Sequence, residues 1–171
     1  MLRLRRLFAL ALLAACAPAG TPTLTDAHRT AIADSVRELA AGLAAQVSAH
    51  GYRGFPPAMD SAPGYVWAYN GFIAFASFDS MVVWTWSEPE SKTREVFAWD
   101  SVRIQVLAPG VAGLAATFSE TRPDSAGTLK TEQGVFTAVA VHRASGWKLT
   151  TAHTSMLQPP PPPAPARKGR R

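Results

Sequence analysis

One cysteine, Cys16, stands in 171 residues. Without a second, no internal disulfide can form, and the fold has to rest on its core alone. Histidine is scarce as well. His28, His50, His142 and His153 are scattered, with no spacing that suits a zinc site, so neither a metal nor another cofactor is expected. The central part of the chain also lacks basic charge. The formal net charge of +5 falls to +2 once Arg3, Arg5 and Arg6 are set aside, and to −2 without Arg167, Lys168, Arg170 and Arg171. That near-neutrality excludes a nucleic-acid partner, which calls for a basic face on the domain itself. The apolar stretch at residues 7–13 is far shorter than the roughly 20 residues that span a bilayer. No internal repeat is present.

What the N-terminus does have is Arg3, Arg5 and Arg6, the short apolar run, and the small residues Ala14 and Ala15 before Cys16. A positive start, an apolar middle and a small-residue cut site make an export signal. Leu13-Ala14-Ala15-Cys16 resembles the lipobox of bacterial lipoproteins. The resemblance implies cleavage before Cys16, a thioether lipid on it, and a membrane partner reached through that lipid. The alternative is an ordinary signal peptide with an incidental cysteine. Each buried CH₂ of an acyl chain adds about 0.8 kcal/mol, so several chains on one cysteine hold a domain firmly. The expected location is the bacterial cell envelope, lipid-anchored on the periplasmic side of a membrane. Ala17, where some lipoproteins carry a retaining aspartate, leaves the outer membrane open.

Composition divides the rest. Residues 1–15 read as signal and 16–23, with Pro18, Gly20 and Pro22, as a tether. Residues 24–157 read as one domain large enough for a core. Residues 158–171 read as a disordered, proline-rich basic tail, extended because prolines fix φ and lack amide donors.

Within the domain, Thr25 and Asp26 open a helix, and Ile32, Val36, Leu39, Leu43 and Val47 mark one apolar stripe until Gly51 stops it. Pro56, Pro57, Pro63 and Gly64 indicate loop. Asn70-Gly71 between two aromatic-rich runs is the strongest short signal for a hairpin. Residues 78–87 suit a helix capped by Asp79, with a buried strand over 81–86 as the alternative. From Arg94 the chain reads as long antiparallel strands turning at Pro109-Gly110, at residues 124–127 and at 144–146. Gly113 and Gly134 lie inside strands and are expected to mark bulges or bends. A leading helix followed by a long meander predicts an α+β domain whose curved antiparallel sheet wraps helices.

The ending carries a resemblance. Gly134-Val135-Phe136-Thr137-Ala138-Val139, Val141-His142-Arg143, Gly146-Trp147-Lys148-Leu149 and His153-Thr154-Ser155 resemble the closing strands of SnoaL-like domains, in the nuclear transport factor 2-like superfamily. The resemblance implies a cone-shaped sheet around N-terminal helices (the cystatin-like architecture), a pocket at the wide end and a homodimer. It does not imply one activity, because the fold hosts many. Isomerases of this type place a carboxylate base and an acidic donor in an apolar cone, and no motif around Asp60, Asp79, Asp100 or Glu120 matches that pair.

The residues suggest candidates. Unbroken strand alternation puts His153 and Ser155 on one face with Trp147, Leu149 and Thr151. Facing the pocket, His153 is the candidate catalytic base; otherwise it ties strands together or sits in a dimer contact. Glu120 and Glu132 lie on adjacent strands, as an acid–base pair or as solvated rim residues beside Arg122 and Lys130. Trp67, Tyr69, Phe72, Phe75, Phe78, Trp84 and Trp86 crowd one stretch, as core or as pocket wall. Tyr65 and Tyr69 hold the hydroxyls there. The ligand-binding candidates are thus Trp67, Tyr69, Glu120, Trp147 and His153. The expected function is binding of a small apolar or amphipathic molecule. The alternatives are a pocket enzyme of the isomerase or cyclase type and a non-catalytic dimeric scaffold.

Overall fold

The computed structural model describes residues 24–88 and 96–157. The expected signal, the tether with Cys16 and the tail at 158–171 lie outside the described residues. Helix α1 (Asp26–His50) starts where Thr25 accepts a hydrogen bond from the His28 amide and ends at Gly51, whose φ of 60° continues no helix. Val36, Ala40, Leu43 and Val47 are its buried stripe, with Ile32 and Leu39 half-buried beside them. Two short 3₁₀ turns, Gly51–Gly54 and Pro56–Ala58, follow. Gly54 is required by contact. A Cβ there would sit 2.3 Å from the backbone carbon of Gln46 on α1.

Strands β1 (Val66–Tyr69) and β2 (Phe72–Phe75) form the hairpin on Asn70-Gly71, with positive φ at both turn residues (45° and 91°) as its tight geometry demands. Helix α2 (Phe78–Ser87) is confirmed as helix, but its cap is Ser77, not Asp79. Ser77 and Ser80 bond each other reciprocally, and Asp79 sits in the first turn. Strands β3 (Val96–Ala108), β4 (Val111–Pro123), β5 (Leu129–Arg143) and β6 (Gly146–Met156) make the meander. The six strands order as β2-β1-β6-β5-β4-β3, with only β1 and β6 parallel.

Helix α1 lies along the curved sheet antiparallel to β3. Arg29 donates to the Val106 carbonyl at 3.3 Å, the Trp99 indole to the Ala40 carbonyl at 2.7 Å, and the Ser48 hydroxyl to the Phe97 carbonyl at 3.2 Å. The end of α1 therefore marks the end of the sheet where β3 begins. On β4 and β5 the inward residues change along the strand, from Ala112 and Ala140 to Phe118 and Phe136. Small side chains share the core with the helix, and rings take over toward its C-terminal end.

The glycines do not mark bulges. Gly113 and Gly134 both lie in unbroken β4–β5 register, opposite Val139 and Phe118. The ladder instead skips Ala74, Asp100, Leu107 and Thr150. Gly134 has a packing reason: a Cβ would meet the Phe118 ring at 2.5 Å and the Ser155 carbonyl at 2.9 Å.

An ion pair pins the end of the sheet at the β5–β6 turn. Buried Asp60 accepts from Arg143 Nε at 3.1 Å and Nη2 at 2.5 Å, and the Ala62 amide donates to its other oxygen at 3.2 Å. The Arg143 hydrogen bonds hold this carboxyl below its ordinary pKa against the opposing effect of burial, helped by the Ala62 amide and the Thr150 hydroxyl.

Candidate functional site: an aromatic cavity at the wide end

Where α1 stops, the sheet continues, and the space between them is a cavity of about 460 Å³. Three walls of rings enclose it. Tyr52 and Phe55 come from the turns after α1; Trp67, Tyr69, Phe72 and Phe75 from the β1–β2 hairpin; Phe97, Phe118 and Phe136 from the long strands. Trp84 of α2 closes one side, 5.0 Å from Tyr52 and 5.2 Å from Phe75 between ring centres. The rings brace each other, with Phe55 edge-on to Trp67 at 4.9 Å and Phe97 stacked on Phe118 at 5.1 Å. Such pairs add about 0.5–1.5 kcal/mol beyond burial, which keeps the walls in place around open space.

Few polar groups interrupt this lining. The Trp67 indole donates to the Thr154 hydroxyl at 3.0 Å, so both are satisfied while buried. Glu120 and Arg122, two residues apart on β4, bring charge into the wall. Arg122 donates from Nη1 to the Tyr52 hydroxyl at 2.5 Å and from Nη2 to Glu132 at 3.0 Å. Burial works against its charge, but Tyr52, Glu132 and Glu120 outweigh burial, and the guanidinium is held more firmly cationic than usual.

The structure places Trp67, Tyr69 and Glu120 together on the cavity, and places Trp147 and His153 elsewhere. The Trp147 ring packs 5.3 Å from His142 beside the β5–β6 turn. His153 is half-buried on the opposite face of the sheet, register partner of Thr137, with Nε2 3.1 Å from the Ser155 hydroxyl. The cause is the bulge at Thr150, which pairs with nothing on β5 while Leu149 pairs with Ala140 and Thr151 with Val139. One extra residue exchanges the two faces downstream. Leu149, Ala152 and Thr154 therefore point inward and Met156 lines the cavity, while Thr151, His153 and Ser155 take the other side.

Glu120 and Glu132 are direct register partners, as adjacent strands allow, yet their environments differ. Glu120 is buried. Glu132 is exposed and bonded to Arg122, and Lys130 pairs with Asp124 at 3.0 Å. The solvated-rim reading therefore fits Glu132 and not Glu120. Tyr65 is buried core, edge-on to Phe78, and its hydroxyl has no hydrogen-bond partner among the described residues; burial raises its pKa. Trp86 points outward with the Arg53 guanidinium 4.8 Å over its ring. Among the described residues, no three His, Cys, Asp or Glu side chains gather to hold a metal.

Sequence reasoning missed Tyr52, Phe55, Phe97, Phe118, Phe136, Arg122, Thr154 and Met156 as lining. For the three strand phenylalanines a signal existed: each sits in the inward half of a period-2 pattern. For Tyr52 and Arg122, 70 residues apart, none did.

No protein-family model and no curated protein matches the sequence. Solved structures do match in shape. An NTF-2 like protein of unknown function from Shewanella oneidensis is similar over 71% of this chain and 97% of its own, with a TM-score of 0.58 and 18% identity. An NTF2-like protein with a cystatin-like fold from Novosphingobium aromaticivorans covers 73% of this chain and 81% of its own, at TM-score 0.59 and 13% identity. A CaMKII hub from S. rosetta covers 73% and 96%, at TM-score 0.60 and 19% identity. At such identities the likeness speaks for architecture. The described residues form an α+β domain with the NTF2-like, cystatin-like fold, a curved sheet wrapped on its N-terminal helices.

Proposed function

We propose that this chain is an exported, lipid-anchored domain of the SnoaL-like kind that takes a small apolar or amphipathic molecule into its cone. One observation carries the binding reading: a 460 Å³ cavity walled by mutually braced rings, in the size range of small-molecule sites and with its charged lining residues, Glu120 and Arg122, together on β4. A scaffold without a ligand would gain stability by filling that space. The Leu13-Ala14-Ala15-Cys16 tetrapeptide supports the anchor, and the hairpin over residues 134–155 supports the SnoaL-like kinship. The likeness to a hub domain supports self-association, for which a homodimer is the simplest form.

The test uses N-phenyl-1-naphthylamine, whose fluorescence reports entry into an apolar site. Saturable binding of one probe per chain is expected. Ala74→Trp, which fills the cavity from β2, should abolish it without lowering the unfolding midpoint. Absence of saturable binding, or binding indifferent to Ala74→Trp, would overturn the reading. Labelled palmitate incorporated by the full chain and lost in Cys16→Ser would test the anchor.

A second reading rests on Glu120, a buried carboxylate on an apolar cavity wall and the kind of group that abstracts a proton from a bound molecule. It differs in outcome: Glu120→Gln would then keep the ligand and stop its conversion.

A further inference from the structure

The bond between Trp67 and Thr154 decides what the Thr154 hydroxyl can still do. An indole N–H only donates, so in this pair the hydroxyl oxygen accepts, at 3.0 Å, and keeps its own proton to give. Thr85, buried on α2, passes its proton to the Val82 carbonyl at 2.9 Å, one turn back along the helix. Thr154 stands on a strand, and its hydroxyl donates to no atom of the described residues. The side chain is nonetheless 7% exposed and part of the cavity lining. A buried hydroxyl proton without an acceptor costs free energy, and a molecule that brings the acceptor recovers it.

Rings surround this donor. The register partners of Thr154 are Tyr69 on β1 and Phe136 on β5, both on the cavity lining, and residues directly opposite each other share a face. Phe136 in turn stands edge-on to Trp67 at 6.1 Å. The acceptor therefore has to arrive on an apolar body, because everything beside the hydroxyl is aromatic. We infer, resting on the binding reading above, that the cavity selects apolar molecules bearing a neutral hydrogen-bond acceptor, such as a carbonyl oxygen. The Thr154 hydroxyl holds that acceptor, and a hydrocarbon of the same shape leaves the hydroxyl unspent.

Two ligands of one shape separate the acceptor from the body that carries it. 2-Acetylnaphthalene and 2-isopropenylnaphthalene differ only by C=O against C=CH₂, and both would compete for the naphthylamine probe on the full chain. Trp67→Phe is the reference background, because Thr154→Val alone would free the indole to donate in the hydroxyl's place. Adding Thr154→Val to it is expected to weaken the ketone about fivefold, the size of one net hydrogen bond, and to leave the alkene unchanged. Thr154→Ser in the same background retains a hydroxyl and should retain the ketone's affinity. On the native chain, the infrared carbonyl stretch of the bound ketone should lie below its value in hexane. A ketone that loses no more than the alkene when the hydroxyl is removed, or a bound stretch at the hexane value, overturns the inference. The stretch needs no substitution, so it decides the matter even if the variants do not fold. In either case the probe still binds and the cavity reading stands; a probe that never binds removes both.

Discussion

Gly134→Ala adds one methyl group, and the structure says where it goes. Its carbon would lie 2.5 and 2.6 Å from two atoms of the Phe118 ring and 2.9 Å from the Ser155 carbonyl oxygen. Backbone preference alone favours alanine in a strand by about 0.5–1 kcal/mol. Overpacking opposes it with about 1–3 kcal/mol, because Phe118 is 3% exposed and clamped by Phe97 at 5.1 Å and Trp99 at 6.3 Å. The clash wins, and a net loss of about 1–2 kcal/mol is expected. With a urea slope of about 1–3 kcal/mol/M, the unfolding midpoint read by tryptophan fluorescence should fall by roughly 1 M. The open direction for the ring is the cavity, so probe affinity should fall with stability. Phe118→Leu supplies the control. If the ring is what glycine accommodates, the leucine substitution costs less in the Gly134→Ala background than in the native one. A penalty below about 0.5 kcal/mol would refute the clash altogether, and one unchanged by Phe118→Leu would refute the ring contact and leave the Ser155 carbonyl as the constraint.

Two further outcomes follow from the same structure. The Asp60 carboxyl titrates below its ordinary value in the fold, so its contribution is complete above the unfolded value near pH 3.9 and is lost as pH falls through the lower folded one. Asp60→Asn should therefore lower the melting temperature by a constant amount between about pH 5 and 8, with the gap closing below about pH 4; a gap that widens with acid would contradict this sign. Trp67→Phe removes the indole donor from Thr154 and should cost about 0.5–1.5 kcal/mol, with Thr154→Val costing little more once the indole is gone; additive losses in the double-mutant cycle would show that the bond contributes nothing.

Local physics made much of the fold readable. The start of α1 at Thr25, its stop at Gly51 and the hairpin at Asn70-Gly71 each depend on groups a few residues apart. The order of the long strands follows from turn residues between alternating runs, and the closing hairpin suggested the architecture. The site was harder because it is assembled across distance. Trp67 and Tyr69 were legible as rings in an aromatic stretch, and Glu120 as a carboxylate on an inward half-strand. Tyr52 and Arg122 meet only because the turns after α1 fold under β4. His153 was misplaced because alternation was counted through Thr150, and a bulge leaves no mark in a stretch reading Leu-Thr-Thr-Ala. Trp147, upstream of the bulge on the face of Leu149, misses the cavity because it sits at the opposite end of β6, beside the β5–β6 turn.

That bulge has a consequence for how the chain tolerates change. Between Leu149 and Thr151, β6 carries one residue more than β5 opposite it, a spare length of backbone in an otherwise matched ladder. Loss of either threonine can be taken up by straightening the strand. Ala152, Thr154 and Met156 then keep their side of the sheet, at the cost of the Thr150 hydroxyl that helps to hold Asp60. A deletion elsewhere in a two-faced strand would turn the cavity wall inside out. Here the slack sits upstream of every β6 residue that touches the cavity, so the strand can shorten by one without the wall losing its lining.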